Sequence, residues 1–336
     1  MPFSGLFSRI LANAIVVVTL VFLFNNYLIF WLDWPGALTF LAHKGWLGVA
    51  PLGAPLEGGE VTLGWLQFLT YAGSVAYVVV YVLLTPGKPL RVDAAYLSSV
   101  SSYIVRAAYW SVLLIGLVDL SLSFLRVEGF LEPLVGKELT QELGKSIFRG
   151  IYVHIPLMLL SLVIAWFVHS LGFIWLTLLI VVAEFQIVIS RFVYSYEQAF
   201  MGDLVRFWYA ALFLFASAYT LVHEGHVRVD VFYARFDERR QAWTNAIGSL
   251  ALGLPLCWTI LSTGMWQKGS SINSPLLSFE ISQSGFGMYV KYLMAGFLVV
   301  FAVSMTIQFM SYFLSSVATL RGESALDDAT AVEAGS

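Results

Sequence analysis

Apolar runs, each close to twenty residues long, alternate along this chain with short intervals that hold most of its charge. A helix of about twenty apolar residues matches the ~30 Å hydrocarbon of a bilayer. The pattern predicts spans over Ile10–Trp31, Val61–Leu84, Ala107–Leu125, Ile151–Val168, Leu171–Ser190, Phe207–Val222, Ala242–Met265 and Met288–Leu314. The run from Ile151 to Ser190 would make one helix of roughly 60 Å, twice the hydrocarbon thickness, so it is split at His169-Ser170-Leu171-Gly172. Ten-residue alternation of the β-barrel kind is not the pattern here. The fold class expected is all-α, a polytopic helical membrane protein with about eight transmembrane helices. Between the fifth and sixth spans, Glu197, Gln198, Asp203 and Arg206 alternate with Ala199, Phe200, Leu204 and Val205. That predicts a short amphipathic helix over Tyr196–Arg206, lying in the interface. Val127–Arg149 mixes acids, bases and helix formers and reads as a second surface segment.

The charged intervals orient these spans. Arg9 precedes the first, Lys88, Arg91 and Arg106 follow the second, and Arg228, Arg235, Arg239 and Arg240 lie between the sixth and seventh. With the split, all three sets fall on one side, which the positive-inside rule makes cytoplasmic. Both termini are then cytoplasmic and the loop Lys268–Lys291 lies outside. The Pro- and Gly-rich loop Asp33–Glu60, flanked by Trp31, Trp34, Trp46 and Trp65, fits an interfacial aromatic belt.

Composition narrows the function classes. The chain is 59% hydrophobic and 12% charged, with mean hydropathy +0.81, far from the quarter or so of charged residues in soluble domains. A net charge of −3 without a basic run argues against a nucleic-acid partner. The one cysteine, Cys257, lies in an apolar span and reads as a small core residue. No CxxC, HExxH or phosphate-gripping glycine loop occurs, so neither an enzyme nor a cofactor is expected. Five histidines keep one alternative in view, a membrane-anchor redox subunit binding b-type haem. Such a site needs two imidazoles at matching depth on facing helices. His154 and His169 fall near opposite ends of one span, and His223 and His226 at a loop.

Two carboxylates fall inside spans, Asp119 and Glu184. An intramembrane carboxylate is a candidate ion or proton site. The plainer alternatives are pairing of Asp119 with Arg126, and of Glu184 with Arg191 or Arg206. Around the sixth loop, His226, Arg228 and Asp230 alternate with Val227, Val229 and Val231, the period of a short extended run. Either they satisfy one another at the membrane surface or they contact a partner.

The same stretch carries a resemblance. Ala218-Tyr219-Thr220-Leu221, then His226 to Phe236 and Arg239-Arg240-Gln241-Ala242-Trp243, resemble the small permease (Q) subunit of TRAP transporters, in its mannitol/chloroaromatic-type branch. Ser190-Arg191-Phe192-Val193-Tyr194 upstream fits the pattern, as do Leu254-Pro255-Leu256-Cys257, Glu280, Gly285, Gly287 and Lys291 downstream. The resemblance covers roughly residues 170–320, which would be a four-helix core. Residues 1–169 would be an N-terminal membrane extension that the usual short subunit lacks, and 321–336 a short acidic cytoplasmic tail. It implies a subunit of the bacterial inner membrane that scaffolds a large permease (M) subunit in ion-coupled uptake of an organic, anionic solute, fed by a periplasmic solute-binding protein. Arg191, Glu197, Arg206, His226, Arg228 and Asp230 are the residues it offers as subunit contacts or structural motif positions.

Overall fold

The computed structural model describes residues 4–46, 48, 55–169, 173–222, 233–282 and 285–324. Every regular element among them is helical. Among the described residues, eight helices are long and apolar enough to cross a membrane. They are α1 (Gly5–Trp31), α3 (Gly59–Leu84), α4 (Leu90–Val127), α7 (Ser146–Phe167), α8 (Phe173–Tyr194), α9 (Ala199–Val222), α10 (Glu238–Met265) and α12 (Lys291–Arg321). Among the described residues four short α-helices join them, α2 (Ala37–His43), α5 (Leu131–Val135), α6 (Lys137–Leu143) and α11 (Asn273–Ser278), with a single 3-10 turn at Tyr233–Arg235. This is an all-α, multi-pass membrane protein. Local chemistry fixes several ends. Ser4 caps α1 by accepting from the Phe7 amide at 3.1 Å, and Asp237 caps α10 by accepting from Arg240 N.

Three features differ from the hydropathy pattern. The third span is far longer than its apolar stretch, because α4 runs for 38 residues, about 57 Å at helical rise. Its serine-rich first half, expected as a loop bearing Arg106, is helical, and one of those serines packs into the interior. Ser101 is buried and donates to the Ser304 carbonyl at 2.9 Å. The separate interfacial helix expected over Tyr196–Arg206 is instead the beginning of α9, which continues unbroken into the sixth span. Glu197 and Gln198 precede that helix, while Asp203 and Arg206 lie on its first turns, where backbone bonding carries on without interruption. Finally, the loop expected to be polar and external between α10 and α12 is partly core. Ile272, Met288, Tyr289 and Val290 are buried, and Asn273 bonds back to the Met265 and Gln267 carbonyls.

The chain forms two compact units, each drawing on both halves of the sequence. The first comprises residues 1–99, 227–258 and 306–336. In it α1 packs on α3, where Gln67 accepts from the Gly36 amide and donates to Asn25, both at 2.8 Å. Phe40 is fully buried among Trp46, Trp65 and Phe68. It lies so close over Gly64 that a Cβ there would come within 2.6 Å of the ring. The tryptophans expected at an interface therefore include two that build this aromatic cluster.

The second unit comprises residues 100–226 and 259–305. Its helices meet through small and polar residues, the usual glue between membrane helices. Ser111 and Ser161 share a bond of 2.5 Å. Trp208 donates to the Val112 carbonyl while lying against Gly116. Phe297 packs on Phe207 and Phe215.

Candidate functional site

The most enclosed polar cluster lies in the second unit around Asp119, and a kink in the hydrogen-bond ladder of α7 assembles it. Residues Gly150–His154 form a π-helical turn, with the Ile155 amide bonding to the Gly150 carbonyl five residues back. On a regular α-helix Arg149 and His154 would point about 140° apart. The wider turn brings residues five apart onto one side, and both reach the same carboxylate oxygen. Arg149 Nη1 donates to Asp119 Oδ1 at 2.8 Å, and His154 Nε2 is 3.2 Å from it. Gly150 lets Phe279 pack against this turn, since a Cβ there would come within 2.4 Å of the Phe279 ring.

The loop before α12 closes the cluster from the other side. Tyr289 N donates to Asp119 Oδ2 at 2.8 Å. The Tyr292 hydroxyl is 2.7 Å from His154 Nδ1. In the neutral imidazole, Nε2–H donates to Asp119 and Nδ1 accepts from Tyr292. Arg149 also donates to the Leu143 carbonyl and to Ser123 Oγ. Its guanidinium lies 4.2 Å from the Tyr289 ring centroid, with Arg126 at 4.8 Å from the same ring. Arg126 bonds to the Tyr289 hydroxyl, which donates to Gly144 O at 2.8 Å. Asp119, Arg149 and His154 are completely buried.

The pairing of Asp119 with Arg126 expected from their spacing is thus not the one formed. Seven residues along a helix is about 10.5 Å, too far for direct contact, and Arg149 arrives from another helix. Both nitrogens of His154 are engaged, which leaves neither free to ligate iron. Asp119 receives an ion pair, an imidazole and a backbone amide, enough to hold a buried charge. The arrangement links the N-terminal region to the loop before α12.

The second polar group lies where α8 turns into α9. The chain reverses through Ser195, at φ +50°, and this brings Glu197 back to Arg191 at 3.5 Å. Glu184, exposed on α8, is therefore not paired with Arg191, which is again about 10.5 Å away along the helix. Nor does Arg206 reach Glu184; it lies 3.5 Å from Asp203. The buried Asp203 carboxylate accepts from Ser282 Oγ at 2.8 Å and from the Met288 amide at 3.1 Å. Tyr196 donates to Glu128 at 2.7 Å. Burial first, and then that carboxylate, push the Tyr196 hydroxyl up to about 12. A cleft of about 460 Å3 opens here, lined by Ile187, Glu197, Gln198, Asp203, Arg206 and Ser282.

Of the residues singled out from sequence, Arg191, Glu197 and Arg206 come together at this junction. Asp119 anchors the other cluster, and Glu184 belongs to neither. His226, Arg228 and Asp230 lie outside the described residues. Arg149, His154, Asp203, Tyr289 and Tyr292 carry much of the geometry without having been candidates for it. The π turn hides the first two, since the helical period places them on different faces. Lys291 and Glu280, both quoted in the resemblance, form an ion pair at 2.6 Å.

No curated protein and no solved structure matches the chain. A family model does match part of it: residues 177–319, from α8 into the last helix, are similar to the DctQ component of the tripartite ATP-independent periplasmic transporters.

Proposed function

We propose that the chain is the small membrane subunit of a TRAP-type secondary transporter, a scaffold for a large permease subunit. The observation that carries this reading is the match over residues 177–319. The proposed assembly takes up an organic anion coupled to ion entry and is fed by a periplasmic solute-binding protein. Residues 1–169 extend the scaffold beyond the matched core. The chain lies in the bacterial inner membrane with both termini in the cytoplasm.

The surface of α8 supports a scaffold role. Phe173–Tyr194 is 22 residues long and exposes Trp175, Val181, Val182, Phe185 and Phe192. Glu184 is exposed among them. A carboxylate left facing lipid at the middle of a span is expensive, whereas a cation from a neighbouring subunit would satisfy it. The polar junction at Arg191, Glu197 and Arg206 and the loop residues His226, Arg228 and Asp230 are proposed as further subunit contacts.

The test is reconstituted uptake. Proteoliposomes holding this chain and the large subunit, supplied with the binding protein and its solute, should accumulate solute only when all three are present. Uptake of the same rate by the large subunit and binding protein alone would remove the scaffold role.

A further inference from the structure

A basic cleft in the first unit has no part in the reading above. It has a volume of about 540 Å3 and is lined by Ser4, Gly5, Leu6, Arg9, the connection Pro86–Leu90, Arg321 and Glu323. The start of α1, the turn between α3 and α4, and the end of α12 thus meet at one end of this unit. Four cationic side chains gather there, Arg9, Lys88, Arg91 and Arg321, against two carboxylates, Asp93 and Glu323.

The carboxylates are already committed. Asp93 is shared by Arg9 at 2.6 Å and Lys88 at 2.7 Å. Arg9 also donates to the carbonyl and hydroxyl of Thr85. Glu323 accepts from the Leu90 amide at 3.0 Å, capping α4. It is aimed there by Gly322, whose φ of +74° ends α12, with the Glu323 amide bonding back to the Ala318 carbonyl. Arg321 is exposed and makes no ion pair among the described residues. Its guanidinium carbon lies only 3.3 Å from where a Gly5 Cβ would be.

That position puts a cation against the first turn of α1, the positive end of a 27-residue helix with no acid in its first turn. The C-terminal end of its own helix favours Arg321, but neither helix supplies a carboxylate. An anion placed there would satisfy Arg321 and the Gly5 and Leu6 amides, and Lys88, already paired with Asp93, lines the same cleft. Exposed Leu6, Phe7 and Leu84 lie next to this charge, so the site is apolar on one flank and cationic on the other. That is the profile of an amphiphile rather than of a soluble ion.

We propose that this cleft binds the phosphate of an anionic phospholipid, held between Arg321, Lys88 and the N-terminus of α1 with its acyl chains along Leu6, Phe7 and Leu84. The proposal needs only the geometry of the first unit. It stands whether or not the chain serves a transporter.

The full chain purified in mild detergent provides the test. Retained lipid is identified by mass spectrometry, and the melting temperature is followed on adding phosphatidylglycerol, phosphatidylcholine or inorganic phosphate. The wild type should retain phosphatidylglycerol and gain stability from it, not from phosphatidylcholine. Arg321→Gln should cut that retention about fivefold, the loss of one basic contact to an anionic lipid. Gly5→Asp supplies a carboxylate beside Arg321. It should raise the melting temperature without lipid and abolish the response to phosphatidylglycerol, which keeps the test decisive should Arg321→Gln fold poorly. Stabilisation by inorganic phosphate to the same extent would replace the lipid by a soluble anion. Equal responses to the two lipids, or retention unchanged in both variants, would overturn the site.

Discussion

Asp119 is the residue on which the second unit's polar chemistry converges. A buried carboxylate matched to a buried guanidinium is poorly tolerated once one partner is gone, and such losses run to about 3–5 kcal/mol. Asp119→Asn strands Arg149, which is completely buried, and should lower the melting temperature and the yield of monodisperse protein. The double change Asp119→Leu with Arg149→Met should recover much of that loss, since an apolar pair of similar volume removes both desolvation penalties. Recovery read by thermal unfolding alongside wild-type uptake would identify the cluster as a structural lock. Recovery of folding with uptake abolished would give the carboxylate a role in ion passage. Gly150 makes a second residue-scale case. Gly150→Ala drives a methyl into the Phe279 ring, at 2.4 Å in the present geometry, so the variant should unfold at lower temperature and Phe279→Leu should restore part of the difference.

At the scale of elements, hydropathy found the spans because every backbone polar group in lipid must be bonded within its own helix. It could not place Arg149 and His154 together, because the π turn at Gly150–His154 changes the period on which such reasoning rests. It also missed the start of α4, where Ser99 to Ser102 read as a loop although Ser101 is buried against α12. The proposed ion pairs failed for a simpler reason. Positions seven apart share a face yet lie about two turns apart along it, so Glu184 and Arg191 cannot touch while the turn at Ser195 brings Glu197 within reach. Glu184 is left on the surface of α8. Glu184→Gln should leave insertion and folding intact but weaken the complex with a large subunit, and truncating one side of a buried charge pair typically costs about 2–5 kcal/mol. The yield of complex relative to chain, measured in one detergent, reads this directly. An unchanged ratio would mean that no cation meets Glu184.

For the whole molecule, the geometry constrains topology through which ends meet. In the first unit the start of α1, the α3–α4 turn and the end of α12 line one cleft. In the second, the end of α4, the start of α9 and the loop before α12 are tied by Tyr196 to Glu128 and by Asp203 to Met288. The proposed layout of eight crossings with both termini on one side is compatible with both groupings. In a Cys257→Ser background, a cysteine at Ser271 should react with a membrane-impermeant thiol reagent in intact cells and one at Arg235 should not. Both positions are exposed, so the contrast reports sidedness rather than burial, and the reverse pattern would invert the orientation.

The central claim, that this chain scaffolds a larger permease, is tested most directly by the composition of the complex it forms. The tagged chain would be isolated in mild detergent from cells that also express the large subunit and the binding protein, and the intact assembly weighed by native mass spectrometry. The account predicts one copy of the chain bound to one large polytopic subunit, with Glu184→Arg dissociating them. A chain that emerges alone, or bound to a haem-bearing redox partner, would contradict it.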